Sequence, residues 1–109
     1  MEPKTTINNG EAVLGIEFGS TRIKAVLADA KGVTLAVGTH DWENRLENGL
    51  WTYSMEDIIG GLQGCYASLK KQVKEKYGIT LHRLAGAGIS AMMHGYLAFD
   101  KEGALLTPF

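Results

Sequence analysis

Apolar and polar positions alternate in distinct blocks along this chain. Residues 12–18 (Ala-Val-Leu-Gly-Ile-Glu-Phe) form a short apolar run closed by Gly19-Ser20, which predicts a strand and a turn. Residues 23–28 are rich in β-branched and aliphatic side chains and predict a second strand. Asp29-Ala30-Lys31-Gly32 is a turn, and residues 33–42 predict a third strand. Such short connections imply an antiparallel meander. Residues 41–53 read as a polar loop carrying Trp42 and Trp51, both expected as core or loop-anchoring side chains.

From residue 55 the period changes. Met55, Ile58, Ile59, Leu62, Cys65, Tyr66, Leu69 and Val73 recur at three- and four-residue steps, which predicts one long helix. Ser54 is its expected N-cap, and Glu56 and Asp57 suit the first turn. Gly78 is the expected stop. Gly60, Gly61 and Gly64 weaken a helix without an evident reason in the sequence. Residues 84–92 are small and apolar, like a strand buried on both faces. Asp100-Lys101-Glu102-Gly103 lies between two apolar segments and predicts a terminal hairpin. The expected fold is α/β, with a mixed sheet in β-β-β-α-β order plus that hairpin. Residues 1–11 are polar and read as a disordered leader.

Composition narrows the class. Hydrophobic residues are 45% and charged residues 21%, the balance of an ordinary globular domain. The net charge is −1, so no basic field points to nucleic acid or an anionic membrane. No run approaches the roughly 18 apolar residues of a membrane span, and the first residues lack a signal-peptide core. The single Cys65 excludes an internal disulfide and fits a reducing compartment, so the cytoplasm is the expected location. Its place on the apolar helical stripe suits a buried small hydrophobe better than a reactive thiol. His40 and His82 read as surface residues, and the scattered histidines have no zinc spacing.

The segment from Gly15 to Lys24 carries the candidate chemistry. Glu17 ends the first strand, and the chain then reverses through Gly19-Ser20-Thr21. A glycine lets the backbone approach a ligand. Two hydroxyls beside free turn N–H groups make a concave donor site suited to phosphate oxygens. Lys24 re-enters as a charge partner. Glu17 could hold a metal-bound water, since Mg²⁺ keeps several waters and takes few carboxylates. The residues alone leave a second reading open: a plain hairpin turn that binds nothing. The helix-opening phosphate loop and the dinucleotide fingerprint are both excluded, because a strand follows the turn.

Glu17-x-Gly19-Ser20-Thr21-x-x-Lys24 resembles the first phosphate motif of the sugar kinase, heat-shock ATPase and actin superfamily. That motif usually reads Asp-x-Gly-Thr/Ser-x-x-x-Lys/Arg. Gly88-Ile89-Ser90-Ala91-Met92-Met93-His94-Gly95, with Asp100, Gly103 and Thr107-Pro108 after it, resembles a segment of xylulokinase-type FGGY carbohydrate kinases. The two motifs stand in the family's order, about 70 residues apart.

The resemblance covers residues 12–109 and implies the N-terminal part of an RNase H-like (actin-like ATPase) domain. It implies ATP and Mg²⁺ as cofactors, with Glu17, Gly19, Ser20, Thr21 and Lys24 at the phosphates and Glu17 toward the metal through water. Met93 and His94 would face a sugar, a ketose or polyol. Glu17 departs from the family's Asp, and Met92 from its Gln, which leaves metal geometry and sugar identity open. The family's catalytic base would lie beyond residue 109; Asp29 and Asp100 are turn residues. The isolated chain is therefore expected to be inactive and, with one sheet face uncovered, to self-associate as a homo-oligomer. Two alternatives stand beside a kinase: an actin-like ATPase without sugar transfer, and a nucleotide-free self-associating module.

Overall fold

The structure is a computed structural model that describes residues 2–91 and 98–106. The elements are α1 (Pro3–Asn8), β1 (Val13–Phe18), β2 (Arg22–Ala28), β3 (Thr34–Asp41), β4 (Arg45–Glu47), β5 (Leu50–Thr52), α2 (Met55–Tyr77) and β6 (Gly86–Ala91). One sheet has the order β3-β2-β1-β6. β1 and β2 pair antiparallel, as do β2 and β3, and β6 lies parallel to β1. The mixed α/β architecture and the meander agree with the sequence pattern.

Strand alternation divides the sheet into two faces. Leu14, Ile16, Ile23, Ala25 and Leu27 are buried and point to one side. α2 packs on that side against β2 and β3. Its buried stripe is Gly61, Cys65, Leu69 and Val73, a four-residue repeat. Ser54 caps the helix, its Oγ accepting from the Asp57 N–H at 3.0 Å. Gly78 closes it in the left-handed region, at φ 71°.

The contact between α2 and β3 is unusually close because of glycine. A Cβ on Gly38 would lie 2.4 Å from the Leu69 N and 2.5 Å from the Cys65 O, both helix backbone. On the helix side, a Cβ on Gly61 would meet Ile23 Cδ1 at 2.6 Å, and one on Gly64 would meet His40 Nδ1 at 2.8 Å. This explains two of the three helical glycines. It also corrects the surface placement of His40, whose ring lies over the helix. Gly60 faces open space.

The same helix covers the free edge of β3. The Val37 N–H donates to Gln72 Oε1, and the Thr39 N–H donates to Ser68 Oγ at 3.3 Å. The Leu35 carbonyl accepts from the Tyr77 hydroxyl at 2.7 Å and from Lys76 Nζ at 3.2 Å. Side chains here satisfy groups that would otherwise template strand pairing.

Four further expectations need correction. The leader contains a helix: Pro3 sits in its first turn and Ile7 is fully buried. Gly10 at φ 68° ends it, with Gly10 N–H donating to the Ile7 carbonyl and Glu11 N–H to the Thr6 carbonyl. One apolar residue makes no visible period, so burial rather than pattern holds this short helix. Residues 45–52 form a hairpin instead of a loop. Asn48 and Gly49 both have positive φ, 52° and 79°, and this Asn-Gly pair was its signal. Trp51 on that hairpin is 68% exposed and anchors no core. β6 is exposed throughout, because α2 covers β2 and β3 and does not reach it.

The terminal hairpin is present as a Phe99–Leu105 bridge. Asp100 Oδ1 accepts from the Glu102 and Ala104 N–H groups, as Asp29 Oδ1 does from Lys31 and Val33. Both carboxylates are committed to Asx-type turns.

Cys65 is fully buried, its Sγ 3.5 Å from the Ile23 and Gly38 carbonyls. Desolvation pushes its pKa up from 9.0, opposed by a backbone hydrogen bond from Ala25. The native thiol thus keeps its proton where the unfolded chain ionises. Its stabilising contribution is complete below pH 9.0 and is lost as pH rises through the native value. Cys65 should resist alkylation at pH 8 in native buffer and react fully in denaturant; equal rates would contradict its burial. Gly38→Ala should lower unfolding free energy by about 1–3 kcal/mol through overpacking. Gly60→Ala should raise it by about 0.5–1 kcal/mol through helix propensity. Urea denaturation reads both signs.

Candidate functional site

Gly19-Ser20-Thr21 joins β1 to β2 at one end of the sheet. The turn is closed by the Gly19 N–H donating to the Arg22 carbonyl at 2.9 Å. A Cβ on Gly19 would sit 2.9 Å from that same carbonyl oxygen. Glycine is therefore required here for space, not for an unusual φ. Ser20 and Thr21 are exposed.

Each carbonyl of the turn has a donor behind it. The Trp42 indole N–H donates to the Gly19 carbonyl at 2.8 Å. The Tyr53 hydroxyl donates to the Ser20 carbonyl at 2.6 Å. The Trp42 backbone N–H donates to the Thr21 carbonyl at 3.1 Å. Trp42 is buried and its ring lies 4.3 Å from Tyr53 and 5.9 Å from Phe18, centroid to centroid. Trp42 thus anchors the turn, as a loop-anchoring reading expects. Tyr53 escaped the sequence reading, since no local pattern marks a tyrosine that meets a turn 33 residues away.

Glu17 and Lys24 are directly opposed cross-strand partners on the face away from α2. In the parallel pair, Glu17 is opposite Ser90 of β6. The three residues form one row across β2, β1 and β6. Glu17 Oε1 lies 4.0 Å from the Cβ position of Gly19, so the carboxylate reaches the turn. A shallow groove of about 470 Å³ runs along this row, lined by Gly15, Glu17, Lys24, Val26, Gly88 and Ser90. Ser90 was not singled out in the sequence, although it belongs to the second motif. A larger cleft, about 620 Å³, lies where β3 ends against the first turns of α2. The Arg45–Asp57 ion pair (2.8 Å) spans its lining, and it holds none of the motif residues.

The structure therefore brings Glu17, Gly19, Ser20, Thr21 and Lys24 to one end of the sheet. Met93 and His94 lie outside the described residues. Among the described residues, no cluster of His, Cys, Asp or Glu forms a ready metal site. Glu17 is the one carboxylate of the Lys24–Glu17–Ser90 row.

Residues 12–109 match the N-terminal domain of the FGGY family of carbohydrate kinases. This chain belongs to that family. The fold of the FGGY chain is also similar to a ligand-bound xylulose kinase from Lactobacillus acidophilus, with TM-score 0.67 and 21% identity over 89% of this chain and 19% of that one. A gluconate kinase from the same organism gives TM-score 0.68 and 21% identity over 89% and 18%. A xyloylose kinase from Brucella ovis gives TM-score 0.71 and 21% identity over 89% and 19%. The FGGY chain spans less than a fifth of these kinases, and identities this low speak for the fold alone. No curated protein sequence matched.

Gly19→Ala should open the turn, because its new methyl meets backbone that cannot swing aside. The expected loss is about 1–3 kcal/mol of stability, with faster hydrogen exchange of the residue 19 amide. Unchanged exchange at that amide would contradict the close approach.

Proposed function

We propose that this FGGY chain supplies the ATP-phosphate turn and part of the sugar site of an ATP-dependent sugar kinase acting on a ketose or polyol hydroxyl. The observation that carries the reading is the convergence of the Gly19-Ser20-Thr21 turn, Glu17 and Lys24 at one sheet end, in a chain of this family.

Each residue has a distinct task. The exposed turn at Ser20 and Thr21 offers amides and hydroxyls to phosphate oxygens. Lys24 adds a positive charge that favours a polyphosphate over neutral ligands. Gly19 keeps the turn backbone close to whatever binds there. Glu17 would hold a hydrated Mg²⁺ through one of its waters. Met93 would provide an apolar wall for the sugar, and His94 a hydroxyl partner. When bound, ATP would supply the phosphoryl group and Mg²⁺ would offset its charge. Asp29 and Asp100 are poor candidates for a catalytic base, since both already accept turn amides. We propose no described residue of this chain as that base.

Glu17 in place of the family's Asp favours a second reading, an actin-like ATPase that does not transfer phosphate to sugar. Self-association through the uncovered sheet face and β6 fits both readings, because Val13 and Ile89 are exposed there.

Titration of the chain with MgATP, followed by calorimetry or amide shifts, tests the phosphate site. Lys24→Met should weaken binding about tenfold, the magnitude of losing one hydrogen bond to a charged group. Identical binding by Lys24→Met would remove Lys24 from the site. The 109-residue chain alone should show no sugar-dependent ATP turnover across a panel of ketoses and polyols. Turnover there would overturn the reading that the chain by itself supplies no catalytic base.

A further inference from the structure

The Gly19-Ser20-Thr21 turn has an orientation problem that short polar turns share. Peptide planes in such turns can flip, and each flip exchanges an outward N–H for an outward carbonyl. An outward carbonyl would repel phosphate. The solution here lies behind the turn. In a trans peptide, the C=O of one residue and the N–H of the next point in opposite directions. The described chain has no cis peptide. Holding the Gly19 carbonyl inward therefore aims the Ser20 N–H outward, and holding the Ser20 carbonyl inward aims the Thr21 N–H outward.

Two aromatic side chains do the holding. Trp42 Nε1 donates to the Gly19 carbonyl at 2.8 Å, and the Tyr53 hydroxyl donates to the Ser20 carbonyl at 2.6 Å. Their rings lie in contact, 4.3 Å between centroids at a 31° tilt, so each restrains the other. Phe18 packs on Trp42 from the strand that leads into the turn. Among the described residues, neither the Ser20 nor the Thr21 N–H has a protein acceptor. Two outward amides thus remain for a ligand, and the planes that carry them are pinned.

We infer that Trp42 and Tyr53 are positioning residues that set the polarity of this turn, fixing the Ser20 and Thr21 amides as anion donors. They touch no ligand themselves. This rests on the phosphate-site reading proposed above. It goes beyond that reading by placing the selectivity for anions in two side chains outside the motif.

The test uses the ¹⁵N-labelled 109-residue protein, with tripolyphosphate and MgATP as probes. The Trp42 indole N–H should exchange with solvent far more slowly than that of Trp51, which is 68% exposed. In the wild type, the Ser20 and Thr21 amides should shift on titration. Trp42→Phe and Tyr53→Phe each remove one hydrogen bond, and each should raise the dissociation constant about 2- to 10-fold. The titration shifts at both amides should shrink in parallel. Tyr53→Phe keeps the ring contact, so it remains informative if Trp42→Phe unfolds. Tyr77→Phe loses a comparable bond at the far edge of β3 and should leave affinity unchanged. Wild-type affinity in Tyr53→Phe, or an equal loss in Tyr77→Phe, overturns the positioning role while the phosphate site stands. No shift at Ser20 or Thr21 in the wild type, with the Trp42 indole still protected, overturns the phosphate reading and this inference with it.

Discussion

The backbone of α2 can approach β3 only because Gly38 has no side chain. The helix positions at Cys65 and Leu69 occupy the space a Cβ would need. Gly61 and Gly64 extend the same contact toward Ile23 and His40. Such close approach gains dispersion contacts along the whole helix and leaves no freedom to slide. It also brings Ser68, Gln72, Lys76 and Tyr77 over the edge of β3, where they satisfy its backbone groups.

The candidate site depends on that contact. Trp42 follows the last residue of β3, and Tyr53 precedes the cap of α2. Locking β3 to α2 therefore sets where both aromatic rings emerge. They meet each other and the back of the Gly19-Ser20-Thr21 turn. Packing on one face of the sheet is thereby converted into backbone orientation at its end. The opposite face bears Glu17, Lys24 and Ser90 in one row and stays open.

The two faces carry different burdens. The α2 face holds the buried core, including the neutral Cys65 thiol. The open face bears the candidate-site row and the small residues of β6. Small residues on an exposed strand add little stability.

Much was legible in the linear chain where the signal is local. The meander, the long helix, its Ser54 cap and its Gly78 stop follow from period and capping chemistry. The Glu17 to Lys24 segment announced itself by residue type and spacing, and the family resemblance it carried agrees with the family match. The Asn48-Gly49 hairpin was equally local in its signal but lay in a stretch read as loop. Other features were decided only by tertiary structure. The α1 helix exists because Ile7 finds the core, and β6 is exposed because α2 packs elsewhere. Gly61 and Gly64 have meaning only opposite Ile23 and His40. Tyr53 became part of the site through a hydrogen bond across 33 residues. Periodicity and motifs report what neighbours in sequence do together. Which carbonyl a distant hydroxyl holds depends on how two packed elements end, and that is settled only in three dimensions.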